Sequence, residues 1–245
     1  MRVEQERVAD GARAPVWVRH EHEARYLFAA GYAEGAVAVD CACGDGTCAR
    51  ILSPKAREIR GFDISPEAVA AASAKGVANA VFDVADAGAL PVDDGFADLY
   101  VSLETIEHLD DPEAFLAEAV RVLKPGGTLV CSTPDRDVYS PGNSPESRPW
   151  NRFHVRELTQ QEFAELLGRY FEEVELFGQN PRSPTVTRLR GMLAGYLPGN
   201  TVVRLTQALK LRRLAYDRVE HHLVTPVDAG RRYELITAVC RRPRR

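Results

Sequence analysis

The feature that most limits the fold is an alternation of short β-rich apolar runs with stretches of helical pattern. Ala36–Asp40 (AVAVD), Glu58–Asp63 (EIRGFD), Ala80–Asp83 (AVFD), Ala97–Leu103 (ADLYVSL) and Thr128–Ser132 (TLVCS) read as strands. Runs this short and apolar need cover on both faces, which a parallel sheet obtains from the helices connecting its strands. Ser65-Pro66-Glu67 and Asp111-Pro112-Glu113 each place a capping side chain before a proline at the first helical position. The second helix should stop at Pro125-Gly126-Gly127, and Thr159 with Glu162 reads as the capping box of a third. Glu172–Phe177 and Arg232–Cys240 add two strands, giving a seven-stranded α/β sheet.

The pattern divides the chain into an N-terminal helical cap (1–35), a core (36–179 and 231–245) and an excursion (180–230). The excursion opens on loop signals, NPRSPT, and continues with helical periodicity in TVVRLTQALKLRRLAYDRV, so it reads as a helical insertion or lid before the last strand. At 245 residues, with 45% hydrophobic and 27% charged content, the chain is neither disordered nor fibrous nor a disulfide scaffold. No run approaches the roughly 18–20 apolar residues of a membrane span. The N-terminus lacks an apolar signal core. Five cysteines, an odd number with three crowded at Cys41, Cys43 and Cys48, argue for reduced thiols and a cytoplasmic setting. From Arg182 onward there are 14 Lys/Arg against 4 Asp/Glu, in a chain of net charge −4. That basic end suits either an anionic partner such as RNA or a solvated helical face.

The first strand runs into Asp40-Cys41-Ala42-Cys43-Gly44-Asp45-Gly46 and then into a helix. Small residues there let the backbone approach a ligand, at the strand end where parallel sheets bind cofactors. Asp63 closes the second strand, where a carboxylate can accept ribose hydroxyls, and Asp86-Ala87 follows the third. Cys41-x-Cys43 lies inside the turn without a second pair to complete a zinc site, so these thiols read as small packing residues.

With these residues in place, the chain resembles the class I S-adenosylmethionine-dependent methyltransferases of Rossmann-like fold, type 11. The segments VAVDCACGDG, IRGFDISPEAV, DVADAGALPVDDGFADLYVS, ETIEHLDDPEAFLAEAVRVLKPGG and STPDR follow that family's motifs in order. A dinucleotide-dependent dehydrogenase shares the turn, but ALP and RVLKPGG belong to the methyltransferase pattern. The resemblance implies that Asp40 and the turn Ala42, Cys43, Gly44 to Gly46 hold the methionine end of S-adenosylmethionine. It gives Asp63 the ribose, Ile64 the adenine face, Asp86 with the Ala87 backbone the adenine edge, and Leu103 a further cofactor contact. Ala42 stands where the family usually has a glycine; alanine is small enough to keep cofactor binding.

Glu104, Glu107 and His108 stand at i, i+3 and i+4 after the fourth strand, and a helix starting there would put them on one face. His154 comes from the loop after the fifth strand. Glu104, Glu107, His108 and His154 together can bind a divalent metal, Mn²⁺ by ligand preference or Mg²⁺ by availability. Without metal, His108 or His154 can serve as general base. The Glu-x-x-Glu-His segment is similar to that of ubiquinone-pathway O-methyltransferases. Together with His154-Val-Arg-Glu157-Leu-Thr159-Gln-Gln-Glu162-Phe163 it is also similar to small-RNA 3′-end ribose 2′-O-methyltransferases. RYLFAAG, SLETIEHL, STPDRDVYSP and FHVREL resemble bacterial methyltransferases of polysaccharide and natural-product assembly. The expected reaction is therefore O-methylation of a small polar acceptor, a sugar or secondary metabolite. RNA ribose methylation and small-molecule N-methylation are the alternatives. A catalytically silent binding module would require a broken cofactor site. His20 and His22 read as surface residues of the N-terminal helix, and the place of His221-His222 is open.

Overall fold

The computed structural model describes residues 16–182, 184–194, 196, 201, 224–228 and 231–244. Its strands are β1 (Val37–Cys41), β2 (Glu58–Asp63), β3 (Ala80–Val84), β4 (Ala97–Leu103), β5 (Leu123–Pro134), β6 (Phe171–Arg182), β7 (Thr225–Pro226) and β8 (Arg232–Pro243). The helices are α1 (Val16–Ala29), α2 (Thr47–Leu52), α3 (Pro66–Ala74), α4 (Pro112–Val122), α5 (Arg136–Tyr139), α6 (Gln160–Gly168) and α7 (Pro184–Ala194). All eight strands form one sheet in the order β3-β2-β1-β4-β5-β8-β6-β7. β1 to β5 are mutually parallel, and β8 runs antiparallel between β5 and β6. The expected seven strands are present. The eighth is the two-residue β7, hydrogen-bonded to the outer edge of β6.

Alternate residues of one strand serve opposite faces, as the pleat requires. Val39 and Leu129 join a cluster with Phe115 of α4 and Phe163 of α6. Ala38 and Val130 join another with Ala29 of α1 and Leu52 of α2. Ser65, Asp111 and Thr159 cap α3, α4 and α6, the last through a complete capping box. The helix α4 ends at Val122, just before Pro125-Gly126-Gly127, which itself forms a bulge inside β5. Leu123 already pairs with Ala97, and the register then jumps to Leu99 opposite Thr128. Three turn-forming residues are thus looped out of the ladder without ending it.

β1 and β4 are neighbours, although β2 and β3 intervene in sequence and lie on the other side of β1. This reversal opens a crevice at the strands' carboxyl ends, where open α/β sheets bind ligands. The C-terminus of β6 and the start of β8 reach the same end, because Arg182 is the register partner of Arg232. No helix among the described residues is long and apolar enough to cross a membrane. All five cysteines are buried free thiols. The part of the excursion with the strongest helical periodicity, including His221-His222, lies outside the described residues.

Candidate active site

The turn after β1 is built from left-handed residues: Ala42 (φ 60), Gly44 (φ 53) and Gly46 (φ 76). Alanine takes the first of these, a conformation that costs an L-residue about 1–2 kcal/mol. Gly46 has no such latitude, because a Cβ there would lie 2.9 Å from that of Ala72. A Cβ on Gly44 would meet nothing within 4 Å, so the space over the turn is open. Asp63 clamps the turn from β2: its Oδ2 accepts from the Gly44 N–H (2.9 Å) and its Oδ1 from the Ser65 N–H (2.9 Å). Both oxygens expected for the ribose therefore already hold the loop backbone, with lone pairs to spare.

Asp40 is 3% exposed. Burial pushes its carboxyl up to about 7, against a hydrogen bond from the Cys48 thiol and with repulsion from Asp63. Its Oδ2 is buried without a hydrogen-bond partner. Tyr26 of α1 faces the same group; burial, then the charges of Cys48 and Asp40, raise its phenol. His22 departs from the surface role expected of it, since burial and then the adjacent Arg25 push its imidazole down to about 3. Arg25 is itself buried and donates to Gln179 Oε1 of β6 (2.6 Å), tying α1 across the sheet end. Sequence reasoning placed α1 and quoted Arg25 and Tyr26 within RYLFAAG, but it gave these side chains no buried role.

Ile64 is 57% exposed beside the turn. Asp86 is exposed and accepts from the Gly88 N–H (2.8 Å) in a local turn after β3, next to the half-buried Ala87. Leu103 ends β4 against the cluster that includes Cys43.

Past β4 the expected helix over Glu104–His108 does not form. Glu104 is left-handed (φ 54), Thr105 lies at φ −127, and only a 3-10 turn, Ile106–His108, follows. The i, i+3, i+4 geometry therefore does not hold, and Glu104 parts from the other three residues. Its carboxylate accepts from Ser132 Oγ (2.8 Å), and its N–H donates to the Ser132 carbonyl (3.1 Å). Glu107, His108 and His154 do converge, with one ligand atom of each within 4.8 Å of the others.

The chain builds this trio from two loops. Glu107 is 2% exposed; its carboxylate accepts from Thr133 Oγ1 (3.1 Å), and its carbonyl accepts from Val155 N–H and Arg156 N–H. His108 Nδ1 donates to the Phe153 carbonyl (3.2 Å). His154 Nδ1 meets Glu157 Oε1 at 2.7 Å, and its ring stacks on Tyr139 and stands edge-on to His108. Asn151, Tyr139 and Thr133 were not singled out in the sequence. Each lies within 21 residues of His154, but nothing in their spacing marks them.

Residues 39–131 match a family model described as a methyltransferase domain. A probable S-adenosylmethionine-dependent methyltransferase of Mycolicibacterium smegmatis is 36% identical over 159 residues, which are 65% of this chain and 60% of that one. Ajmaline N-methyltransferase of Rauvolfia serpentina is 41% identical over 98 residues, 38% of this chain and 34% of that one. The chain thus spans less than two thirds of the curated relatives it matches. Among solved structures, a putative Haloferax volcanii methyltransferase, in complex with the Trm112 methyltransferase activator, superposes with a TM-score of 0.62. That alignment has 23% identity and covers 96% of both chains, a likeness of fold.

Proposed function

We propose, for a chain whose residues 39–131 are a class I S-adenosylmethionine-dependent methyltransferase domain, that the protein methylates a hydroxyl of a small polar acceptor, a sugar or secondary metabolite. A divalent cation held by Glu107, His108 and His154 assists. The observation that carries the reading is the convergence of these three side chains at the carboxyl ends of β4 and β5, beside the cofactor turn.

When bound, S-adenosylmethionine supplies a sulfonium methyl for in-line attack; alignment and exclusion of water fall to the chain. The residues fit that cofactor. The buried, unpartnered Asp40 Oδ2 suits an ammonium group, and the open space over Gly44 admits the ligand against the backbone. Asp63 keeps acceptor capacity for ribose hydroxyls while holding the turn. Ile64 offers an exposed apolar face for the adenine, and Asp86 with the Ala87 backbone would take its edge.

The trio fits a cation equally well. It offers one carboxylate and two imidazoles, a mixed donor set that suits Mn²⁺ intrinsically better than Mg²⁺. Each imidazole has its Nδ1 engaged, by the Phe153 carbonyl or by Glu157, so each would ligate through Nε2, which in His154 means displacing the Asn151 amide that lies 2.9 Å away. A cation there would hold an acceptor oxygen and ease loss of its proton. Glu104, bound to Ser132, is outside this set.

The test pairs calorimetry of S-adenosylhomocysteine with electron paramagnetic resonance of Mn²⁺ in its presence. Wild type should bind both. His154→Ala should weaken Mn²⁺ by about tenfold or more, and Glu104→Ala should leave it within about twofold. No homocysteine-ligand binding would overturn the methyltransferase reading. Mn²⁺ at background would remove the cation and leave His108 or His154 as a simple base.

N-methylation is a second reading, favoured by the name of the ajmaline relative. The residues after β4, Leu103-Glu104-Thr105-Ile106, lack the Asn/Asp-Pro-Pro-Tyr/Phe signature of nucleic-acid amino methyltransferases. RNA ribose methylation rests on the His154–Phe163 stretch and the basic C-terminal region. It requires RNA affinity that falls steeply with salt.

A further inference from the structure

We infer that Glu157 is a positioning residue. It holds His154 as the single tautomer protonated at Nδ1, so that Nε2 presents its lone pair beside Glu107 and His108. The geometry of Asn151 leads there independently of Glu157. The Phe153 N–H donates to Asn151 Oδ1 (3.1 Å), which fixes which end of the amide is oxygen. The other end, Nδ2, can only donate, and it lies 2.9 Å from His154 Nε2. Nε2 must then be the acceptor. The ring proton sits on Nδ1 and is donated to Glu157 Oε1 at 2.7 Å.

The support behind Glu157 is rigid. Arg136 Nη1 donates to the Glu157 carbonyl (3.0 Å), and the next residue, Leu158, bridges Asp135 and accepts from the Arg136 N–H (2.9 Å). Glu157 is 2% exposed and His154 9%, so no ligand touches the carboxylate directly; it acts through the ring. Tyr139 stacks on one face of that ring, at 5.5 Å between centroids, and limits its rotation. Glu157 Oε2 is buried with no hydrogen-bond partner, so nothing on that oxygen competes for the pair with His154.

Asn151 has a second meaning in this arrangement. Its N–H stands where an acceptor hydroxyl would stand to donate its proton to Nε2. Where no cation occupies Nε2, a hydroxyl-bearing ligand replaces one donor with another, and the imidazole needs no new tautomer. This deepens the proposed O-methylation and rests on it for its catalytic meaning, although the tautomer itself can be read without turnover.

The experiment is a long-range ¹H–¹⁵N correlation spectrum of ¹⁵N-histidine-labelled full chain with S-adenosylhomocysteine, with His154 assigned by the loss of its signals in His154→Asn. Wild type should show the neutral Nδ1–H pattern for His154. Glu157→Leu, which removes the acceptor, should shift it toward an Nε2–H or mixed pattern, whereas Glu157→Gln, whose amide oxygen can still accept from Nδ1, should keep it. An Nε2–H pattern in wild type would overturn the inference, as would an unchanged pattern in a folded Glu157→Leu. Absence of methyl transfer, with the Nδ1–H pattern intact, would overturn the functional reading and leave the tautomer standing.

Discussion

At the scale of single residues, Asp40 is a buried carboxyl that costs the ligand-free fold stability. An aspartate ordinarily titrates near 3.8, and burial carries this one to about 7 in the fold. Between those values the native state binds a proton that the unfolded chain has lost. Stability therefore falls as pH rises through that window, and it is fully recovered only below the unfolded value. Asp135, raised to about 6 by its burial, adds to the same slope. Asp40→Asn should flatten most of the slope and stabilise the ligand-free chain at pH 8 by on the order of 3 kcal/mol. The same change should weaken S-adenosylhomocysteine, since an amide cannot neutralise an ammonium. Urea unfolding at pH 4.5 and pH 8, beside calorimetry, checks both halves. An undiminished slope in the variant would assign it to other groups.

At the scale of elements, β2 and β3 show what a glycine inside a strand is for. Gly61 pairs with Phe82 in register, and a Cβ built on Gly61 would overlap the Phe82 ring. Gly61→Ala should cost about 1–3 kcal/mol, the usual range for overpacking. Phe82→Leu in the same chain should recover part of that loss, measured by urea midpoints of the two single variants and the double. The strands themselves were legible in the sequence, because a parallel sheet covered on both faces leaves continuous apolar runs, and the Ser65, Asp111 and Thr159 caps marked three helix starts. What misled was local chemistry overruled by pairing. The helix ends before Pro125-Gly126-Gly127 as read, but the following strand begins at Leu123 and not at Thr128, because both residues find partners on β4. Glu104 has the spacing of a helical ligand, yet its backbone turns left-handed and hands its side chain to Ser132. Glu107, His108 and His154 could be named from spacing, whereas Glu157, Asn151 and Tyr139 gain their meaning only from the loop that folds them around one imidazole.

At the scale of the whole molecule, β8 is the strand the sheet depends on. It lies between β5 and β6 and pairs with both, so the antiparallel edge has no path to the core without it. Two of the basic residues near the chain's end are spent there, Arg241 on Glu175 (2.5 Å) and Arg242 on Glu173 (3.2 Å), which lessens the charge left for an anionic partner. The excursion stands in a different relation to the fold. Arg182, where β6 ends, is already the register partner of Arg232, where β8 begins. Residues 183–231 therefore leave and re-enter the sheet at adjacent positions, as a hairpin loop does. Their described contacts with the core include β7 on Phe177 and Gly178, the Val227 N–H on the Leu176 carbonyl, the Val227 side chain on the core cluster, the Asp228 N–H on the Tyr233 hydroxyl, and Gly191 near Pro141 and Gly142. Replacing 183–231 with a two-residue Asn-Gly turn should thus leave the chain folded, with S-adenosylhomocysteine affinity within about threefold of wild type. Methyl transfer to the acceptor should be lost, because the excursion starts from the end of the sheet where the acceptor would meet the cofactor. Deleting residues 232–245 should instead abolish folding. Circular dichroism and calorimetry on the two variants separate the cases. A loop-replaced chain that cannot fold would show the excursion to be part of the core, and one that keeps full transfer would show that the acceptor site owes it nothing.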